Sequence, residues 1–445
     1  MDLKTQSSLN YRLEWISGIY RTNLKGEGNQ ISAPSNDLPW KRTLWILFVS
    51  QLTTAIGFSS IFPFLPLYVK SLGSSLGLSV ELLSGLVFSA QAFTMMIASP
   101  IWGTLADRYG RKLMVVRASF GGSLLLLLMA FVRSGEQLVV LRAIQGLITG
   151  TVAANSALLA AQVPRSKVGY AMGMLQVGLG TGVAFGPIIG GAVADAFGYA
   201  VAFYITSALL FVSGLMVSVG VREEFDERTA AESRSTNLLR LWKEVFSTPG
   251  VTMSYTLRFL SQLGRMMFVP VAPFFVEELM GGAGSVNSYT GLIIGLGAGA
   301  TTITSGYFGR LGDRIGFRTL VSICAISAGL LYLPQSIVEE PWQLLGLSLL
   351  VGVAMGGVLP LISALLARYS RVGGEGSVYG IDNAVRASAR AIAPLLVSGV
   401  MIAWGIRVTF VITGGIFIFT GVLAKIGLPD DPGKVEPSFE IYGMN

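Results

Sequence analysis

Apolar residues in this chain come in runs long enough to cross a bilayer, with short polar clusters between them. A hydrocarbon core of about 30 Å takes about 20 predominantly apolar residues in a helix. Twelve runs meet that length, near 44–68, 82–104, 113–132, 138–161, 168–194, 199–221, 251–276, 286–308, 319–336, 342–367, 377–403 and 406–427. Lipid offers no partner to an exposed backbone group, so each run is predicted to be a helix. An even number of spans brings both ends of the chain to the same side.

One passage is written twice. Gly57, Pro63 and Pro66 in span 1 recur as Gly264, Pro270 and Pro273 in span 7, each 207 residues later. Asp107-Arg108-Tyr109-Gly110-Arg111 returns as Asp313-Arg314-Ile315-Gly316-Phe317, 206 residues later. A duplicated membrane unit gives two similar bundles with a cleft between them, and transporters built this way bind substrate in that cleft. The expected fold is an all-α membrane protein of twelve transmembrane helices in two pseudo-symmetric six-helix bundles. Its parts are an N-terminal tail (1–41), a first bundle (42–221), a central loop of mixed charge (222–250), a second bundle (251–427) and a C-terminal tail (428–445).

Composition supports this reading. Charged residues make up 13% of the chain, against about 25% in soluble domains, and the mean hydropathy is +0.63. A pI near 9.5 can signal nucleic-acid binding, but here the basic residues are dispersed between apolar runs. Of the 32 Lys and Arg residues, Lys70, Arg133 and Arg407 fall on one side, and Arg142, Arg258, Arg265, Arg386 and Arg390 fall within spans. The rest share the side of the N-terminus, which makes both termini and the central loop cytoplasmic in a multi-pass plasma (inner) membrane protein. Histidine is absent and Cys324 is the one cysteine, which excludes a disulfide framework and a Cys/His metal site. No Walker A sequence provides for ATP, no nucleophile–base arrangement suggests an enzyme, and no cofactor is expected. The expected partners are a small-molecule substrate and the bilayer, with no nucleic acid, and a monomer suffices for this architecture.

Three motifs carry mechanism. Gly103-Thr-Leu-Ala-Asp107-Arg108-Tyr-Gly110-Arg111-Lys112 joins spans 2 and 3; Gly103 permits close helix contact and Gly110 supplies a turn. Span 4 holds Arg142-Ala-Ile-Gln-Gly146, and span 5 holds Gly182-Val-Ala-Phe-Gly186-Pro187-Ile-Ile-Gly190-Gly191. Pro187 removes a backbone donor and can kink its helix. The loop resembles the signature loop of the major facilitator superfamily, and the Gly-Pro-x-x-Gly-Gly element resembles the antiporter motif of exporters. Together with the span 1 prolines they look like the twelve-helix drug:proton antiporter family, and residues 63–69 and 161–167 like its MdtG-type multidrug-resistance branch. The resemblance implies efflux of small amphipathic compounds by alternating access, with the proton gradient as energy source. It also implies a gating role for Asp107, Arg108, Gly110 and Arg111, repeated by Asp313, Arg314 and Gly316.

Charge inside the spans is costly and normally faces a cavity or a partner. Arg258 and Arg265 are seven apart and share a face of span 7; Asp382 and Arg386 are one turn apart, and Arg386 and Arg390 another. Two readings of Asp382 stand: a structural ion pair with Arg386, or a proton carrier. No carboxylate lies deep in the first bundle, a departure from the drug-antiporter pattern that leaves proton coupling open. The excess of positive charge points to anionic or zwitterionic substrates, or to a transport site that the substrate neutralises; the alternative function is an exporter or facilitator of a small organic anion or metabolite without proton coupling. In the resembled fold the cleft is lined by spans 1, 4, 5, 7, 10 and 11. They contribute Phe58, Asn155, Gln176, Tyr255, Gln262, Asp382, Asn383 and Arg386 as candidates, with Gln176 and Asn383 at equivalent places in the two repeats.

Overall fold

The structure, a computed structural model, describes residues 38–223, 250–282, 284–369 and 375–428. Both predicted tails lie almost wholly outside the described residues, as does most of the central loop. Helices follow one another through short turns: α1a (Leu38–Ser60) and α1b (Leu65–Leu72), α2 (Val80–Tyr109), α3 (Arg111–Met129), α4a (Gly135–Ile148) and α4b (Thr151–Gln162), α5 (Val168–Phe197) and α6 (Tyr199–Gly220). After the central loop come α7 (Val251–Leu279), α8 (Val286–Ile315), α9 (Phe317–Tyr332), α10 (Pro341–Tyr369), α11 (Glu375–Trp404) and α12 (Ile406–Gly427). No strand occurs among the described residues.

Among these residues, eleven segments are long and apolar enough to cross a membrane. The twelfth predicted span, α8, is 30 residues long but rich in Gly and Thr. It packs along α5 rather than against lipid alone, so small residues serve it better than large apolar ones.

The repeat is built into the turns. Gly110 and Gly316 have φ of +97° and +91°, and Gly198 and Gly405 have +85° and +83°. Each N–H closes the helix before it, donating to Ala106, Gly312, Ala194 and Met401 respectively. A side chain at any of these four would be strained, because L-residues rarely adopt that backbone region.

Within each bundle, small residues bring backbones together. A Cβ added at Gly182 would lie 2.8 Å from the Leu52 carbonyl oxygen, and one at Gly186 would lie 2.8 Å from that of Ile56. Ser59 Oγ, on α1a, donates to Gly182 O at 3.0 Å. In the second bundle, Gly329 of α9 and Gly414 of α12 each face the other's carbonyl oxygen, at 2.6 and 2.9 Å from an added Cβ.

Charge distinguishes the two ends of the helices. One, here the basic end, carries Arg108, Arg111, Lys112, Arg314 and Arg318. At the opposite end the halves are joined along two seams. On the α5–α8 seam, Gly191 abuts Asn287, Gly291 abuts Pro187, and a Cβ at Gly295 would sit 2.5 Å from Ala184 O. On the α2–α11 seam, a Cβ at Gly85 would sit 2.7 Å from Pro394 O, and Ser398 Oγ donates to Glu81 O at 2.6 Å. Toward the basic end, Gly103 of α2, Gly169 and Gly173 of α5, and Gly306 and Gly309 of α8 face open space. The close seams between the halves thus lie toward the end opposite the basic one.

The structure departs from the sequence reading in span 4. The predicted run 138–161 is not one helix: it breaks at Thr149–Gly150, where Gly150 has φ of +148°. Trp102 Nε1 donates at 2.6 Å to the Leu147 carbonyl beside the break.

Candidate functional site

The second bundle holds an ionic cluster at mid-span. Arg258 of α7 donates from Nε to Asp382 Oδ1 of α11 at 2.8 Å. Its two terminal nitrogens reach Leu359 O at 2.9 Å and Ser363 Oγ at 2.5 Å, both on α10. Arg386, one helical turn after Asp382, holds Oδ2 at 2.5 Å. Asp382 and Arg258 are each 1% exposed, whereas the Arg386 side chain is 33% exposed. The carboxylate is therefore clamped by one sealed cation and one partly exposed cation. Burial of this kind is tolerable only because both charges keep several partners.

Three arginines stand together. Arg265, Arg386 and Arg390 are close enough for each pair to interact electrostatically. Arg390 and Asn383 are exposed, as is Gln176 on α5, although all three lie more than two turns inside their helices. Arg386 Nε is buried without a partner. Four guanidiniums against one carboxylate give this region an excess of positive charge that an anionic group would neutralise.

Other predicted residues take part in packing between or within the helices. Tyr255 is buried, and its hydroxyl donates to Val378 O at 3.0 Å, tying α7 to α11. Gln262 is buried. Asn155 is buried and donates to Gln51 Oε1 at 2.8 Å, joining α4b to α1a. Arg142 is buried and donates to Val87 O at 3.2 Å and Gln145 Oε1 at 2.7 Å, joining α4a to α2. Phe58 is half-buried near Gly122. Spacing along a helix tells which residues share a face, but packing decides where that face points.

The motif glycines act in packing. Gly146 presses on Gln91 and Thr94 of α2, and Gly190 on the Ser60 carbonyl. The loops predicted to gate make these contacts among the described residues. Arg111 Nη1 donates to Ala157 O at 3.2 Å, and Glu223 accepts from the Arg111 and Lys112 N–H groups at 2.9 and 2.7 Å. Arg108 stacks on Tyr109, while the Asp107 side chain lies outside the described residues. In the repeat, Asp313 pairs with Arg368 at 3.1 Å, and Arg314 is exposed.

Sequence reasoning missed the charged residues of the closed end. Asp195, on α5, accepts from the backbone N–H groups of Asn287 and Ser288 at 3.3 and 2.7 Å, and from Asn287 Nδ2 at 2.6 Å. Lys70 and Glu277 pair across the halves at 2.7 Å. They are also 207 residues apart, so they hold equivalent places in the repeat and meet on its axis. That interval was the available signal.

The model of the Major Facilitator Superfamily matches residues 47–257 and again 254–440. The chain belongs to this superfamily. Among curated relatives, the multidrug resistance protein MdtG of Salmonella arizonae is 34% identical over 392 residues, covering 87% of this chain and 96% of that protein. MdtG of Enterobacter lignolyticus is 33% identical over 396 residues, covering 88% and 94%. Solved structures with the same fold include the nucleoside transporter NupG, with TM-score 0.72, 12% identity and coverage of 86% and 98%. The human organic anion transporter MFSD10 has TM-score 0.62, 18% identity and coverage of 87% and 99%. This major facilitator protein is a multi-pass membrane transporter of small molecules.

Proposed function

We propose that this transporter exports small amphipathic organic anions from the cytoplasm across the plasma (inner) membrane by alternating access. The observation that carries the reading is the mid-span cluster of Arg258, Arg265, Arg386 and Arg390 with Asp382 as its single carboxylate. A cation entering that region would meet net repulsion, whereas an anion would find Arg386 and Arg390 facing the cleft. The positive-inside rule makes the basic end cytoplasmic. The described conformation is then closed on the outer side. The multidrug resistance relatives support export of drug-like compounds. Motion is a rocking of two halves about the two glycine seams, with the gating loops steadying the cytoplasmic ends; a monomer in the bilayer suffices. An interior-negative potential favours expulsion of each negative charge by about 2.3 kcal/mol per 100 mV.

A second reading, proton antiport, rests on Asp382 being the one mid-span carboxylate among the described residues. Proteoliposomes separate the two. A fluorescent amphipathic carboxylate and an ammonium on the same skeleton are offered under a potassium-diffusion potential or a pH gradient. Preference for the carboxylate, lost in Arg386→Gln and Arg390→Gln, is the expected result. Equal transport of both ions, or an unchanged preference in the variants, refutes the anion reading. Substrate-dependent proton release supports antiport, and tight transport without proton flux removes it.

A further inference from the structure

The charged contacts of the closed end lie outside the proposed substrate site and join the two halves directly. α8 begins at Val286 with no side-chain cap from its own neighbourhood: Ser285, in the capping position, makes no such bond. Its cap comes from the other half. Asp195 accepts two backbone N–H groups of the first turn, from Asn287 and Ser288, and the Asn287 side-chain amide as well. A helix start leaves its first N–H groups unpartnered and carries partial positive charge, so a carboxylate there gains both hydrogen bonds and charge–dipole energy.

Asp195 is poorly placed in its own helix. It lies in the last turn of α5, whose negative end opposes a carboxylate. The residue gains its favourable surroundings only while α8 abuts it. When the halves part on this side, α8 loses its cap and Asp195 is left at the negative end of α5.

We propose that Asp195 is the positioning residue that closes the outer gate, and that its protonation from the outer solution releases it. The inference rests on the alternating-access reading above but not on the substrate. Water reaches the carboxylate through a recess of about 450 Å³ between the halves, lined by Lys70, Ser71, Asp195, Tyr199, Glu277 and Asn287 among others. The titratable groups facing Asp195 are thus Tyr199 on α6, Glu277 on α7 and Lys70 on α1b, the last two paired with each other. A neutral carboxyl keeps a hydrogen-bonding oxygen but loses the charge that favours the helix start. Outer acidity therefore biases the molecule toward the outward-open state, the step that export requires after loading. Asp195 is a gate and not a carrier, since in the closed state its recess leads outward.

Nothing equivalent stands on the other seam. The residue 207 positions after Asp195 is Ile402, and the α2–α11 seam is joined instead by the uncharged Ser398–Glu81 carbonyl bond. The pH response should therefore belong to one carboxylate.

The test is an inter-half distance at the outer end. Spin labels at Leu76→Cys and Ile337→Cys, both exposed and outside the seams, are placed in full-length Cys324→Ala protein in nanodiscs. Distances are measured at about pH 7.5 and about pH 3, on either side of the ordinary aspartate value. The otherwise unaltered protein should show the short distance at neutral pH and gain a long one on acidification. Asp195→Asn should shift the open-to-closed ratio on the order of ten-fold at neutral pH and lose the acid response. Asn287→Ala should give a smaller shift and keep the response, and serves if the first variant folds poorly. Glu277→Gln should keep the response. An unchanged distance and acid response in Asp195→Asn, or a response lost in Glu277→Gln, overturns the proposal. Arg386→Gln should lose carboxylate transport and keep the acid response, so failure of the substrate reading leaves this result standing.

Discussion

Replacing Asp382 with Asn separates the structural from the transport role of the mid-span cluster. Asp382 and Arg258 form a sealed pair at 2.8 Å, with side chains 2% and 1% exposed. Removing one partner of such a pair leaves an uncompensated charge in the interior, a loss of about 3–5 kcal/mol. Arg258 would keep its bonds to Leu359 O and Ser363 Oγ, so the lower end, about 3 kcal/mol, is expected. Arg386→Gln is different. Its side chain is a third exposed to the cleft and Asp382 keeps Arg258, so the loss should be at most about 1 kcal/mol. The double replacement Arg258→Met with Asp382→Leu removes both sealed charges and should fall within about 1 kcal/mol of the unaltered protein. Thermal unfolding of purified full-length protein in one detergent gives the order: unaltered and double variant highest, Arg386→Gln slightly lower, Asp382→Asn lowest. Anion transport should show the reverse sensitivity, with Arg386→Gln inactive though nearly as stable. The reasoning fails if Asp382→Asn unfolds no earlier than Arg386→Gln, or if the double variant falls below Asp382→Asn.

Other consequences follow from single contacts. Gly191→Leu would drive a side chain into the Asn287 backbone; the outer end should then stay open, read as a long distance between spin labels at Leu76→Cys and Ile337→Cys at neutral pH, with transport abolished. Glu223→Gln weakens the charged cap on the start of α3 and should lower stability by about 1 kcal/mol, read as a reduced unfolding midpoint with substrate affinity unchanged. Trp102→Phe keeps a ring beside Arg117 but removes the bond to Leu147 O at the α4 break; an effect near 1 kcal/mol is expected in the same unfolding assay.

Topology was legible in the sequence because its two signals are one-dimensional. Apolar length gives the spans, and the interval of 207 gives the two halves. Even the pairing of Asp382 with Arg386 could be read, since both lie on one helix face. What could not be read depends on how helices are rotated against each other. Arg258 completes the cluster from a different helix, 124 residues away, and no periodicity links the two. Asn155 and Tyr255 were expected in the cleft, yet packing turns both into helix-to-helix bonds. The α4 break was hidden for another reason. Among 55 glycines, most serving close packing, nothing in the sequence sets Gly150 apart as the one at a helix break. Asp195 went unnoticed because its partner is mainly backbone, which carries no residue signature.

The two seams are near copies. Pro187 and Pro394 are 207 residues apart, and each presents its carbonyl oxygen to a glycine of the opposing half, Gly291 and Gly85. Matched seams let the halves rock without favouring one side of the interface, which explains why the prolines, glycines and turn geometries are duplicated. Symmetry alone, however, gives a transporter no means of answering different solutions on its two faces. That must come from groups that the duplication does not preserve. Such groups occur at two depths: the arginine cluster inside the second bundle, to which the proposed function assigns the substrate, and Asp195 at the closed end, beside its recess. Lys70 and Glu277 belong to neither class. They occupy equivalent positions yet carry opposite charge, because two like charges meeting on the axis would repel and hold the gate apart. Duplication can copy a backbone seam unchanged, but an ion pair on the axis requires that the copies diverge.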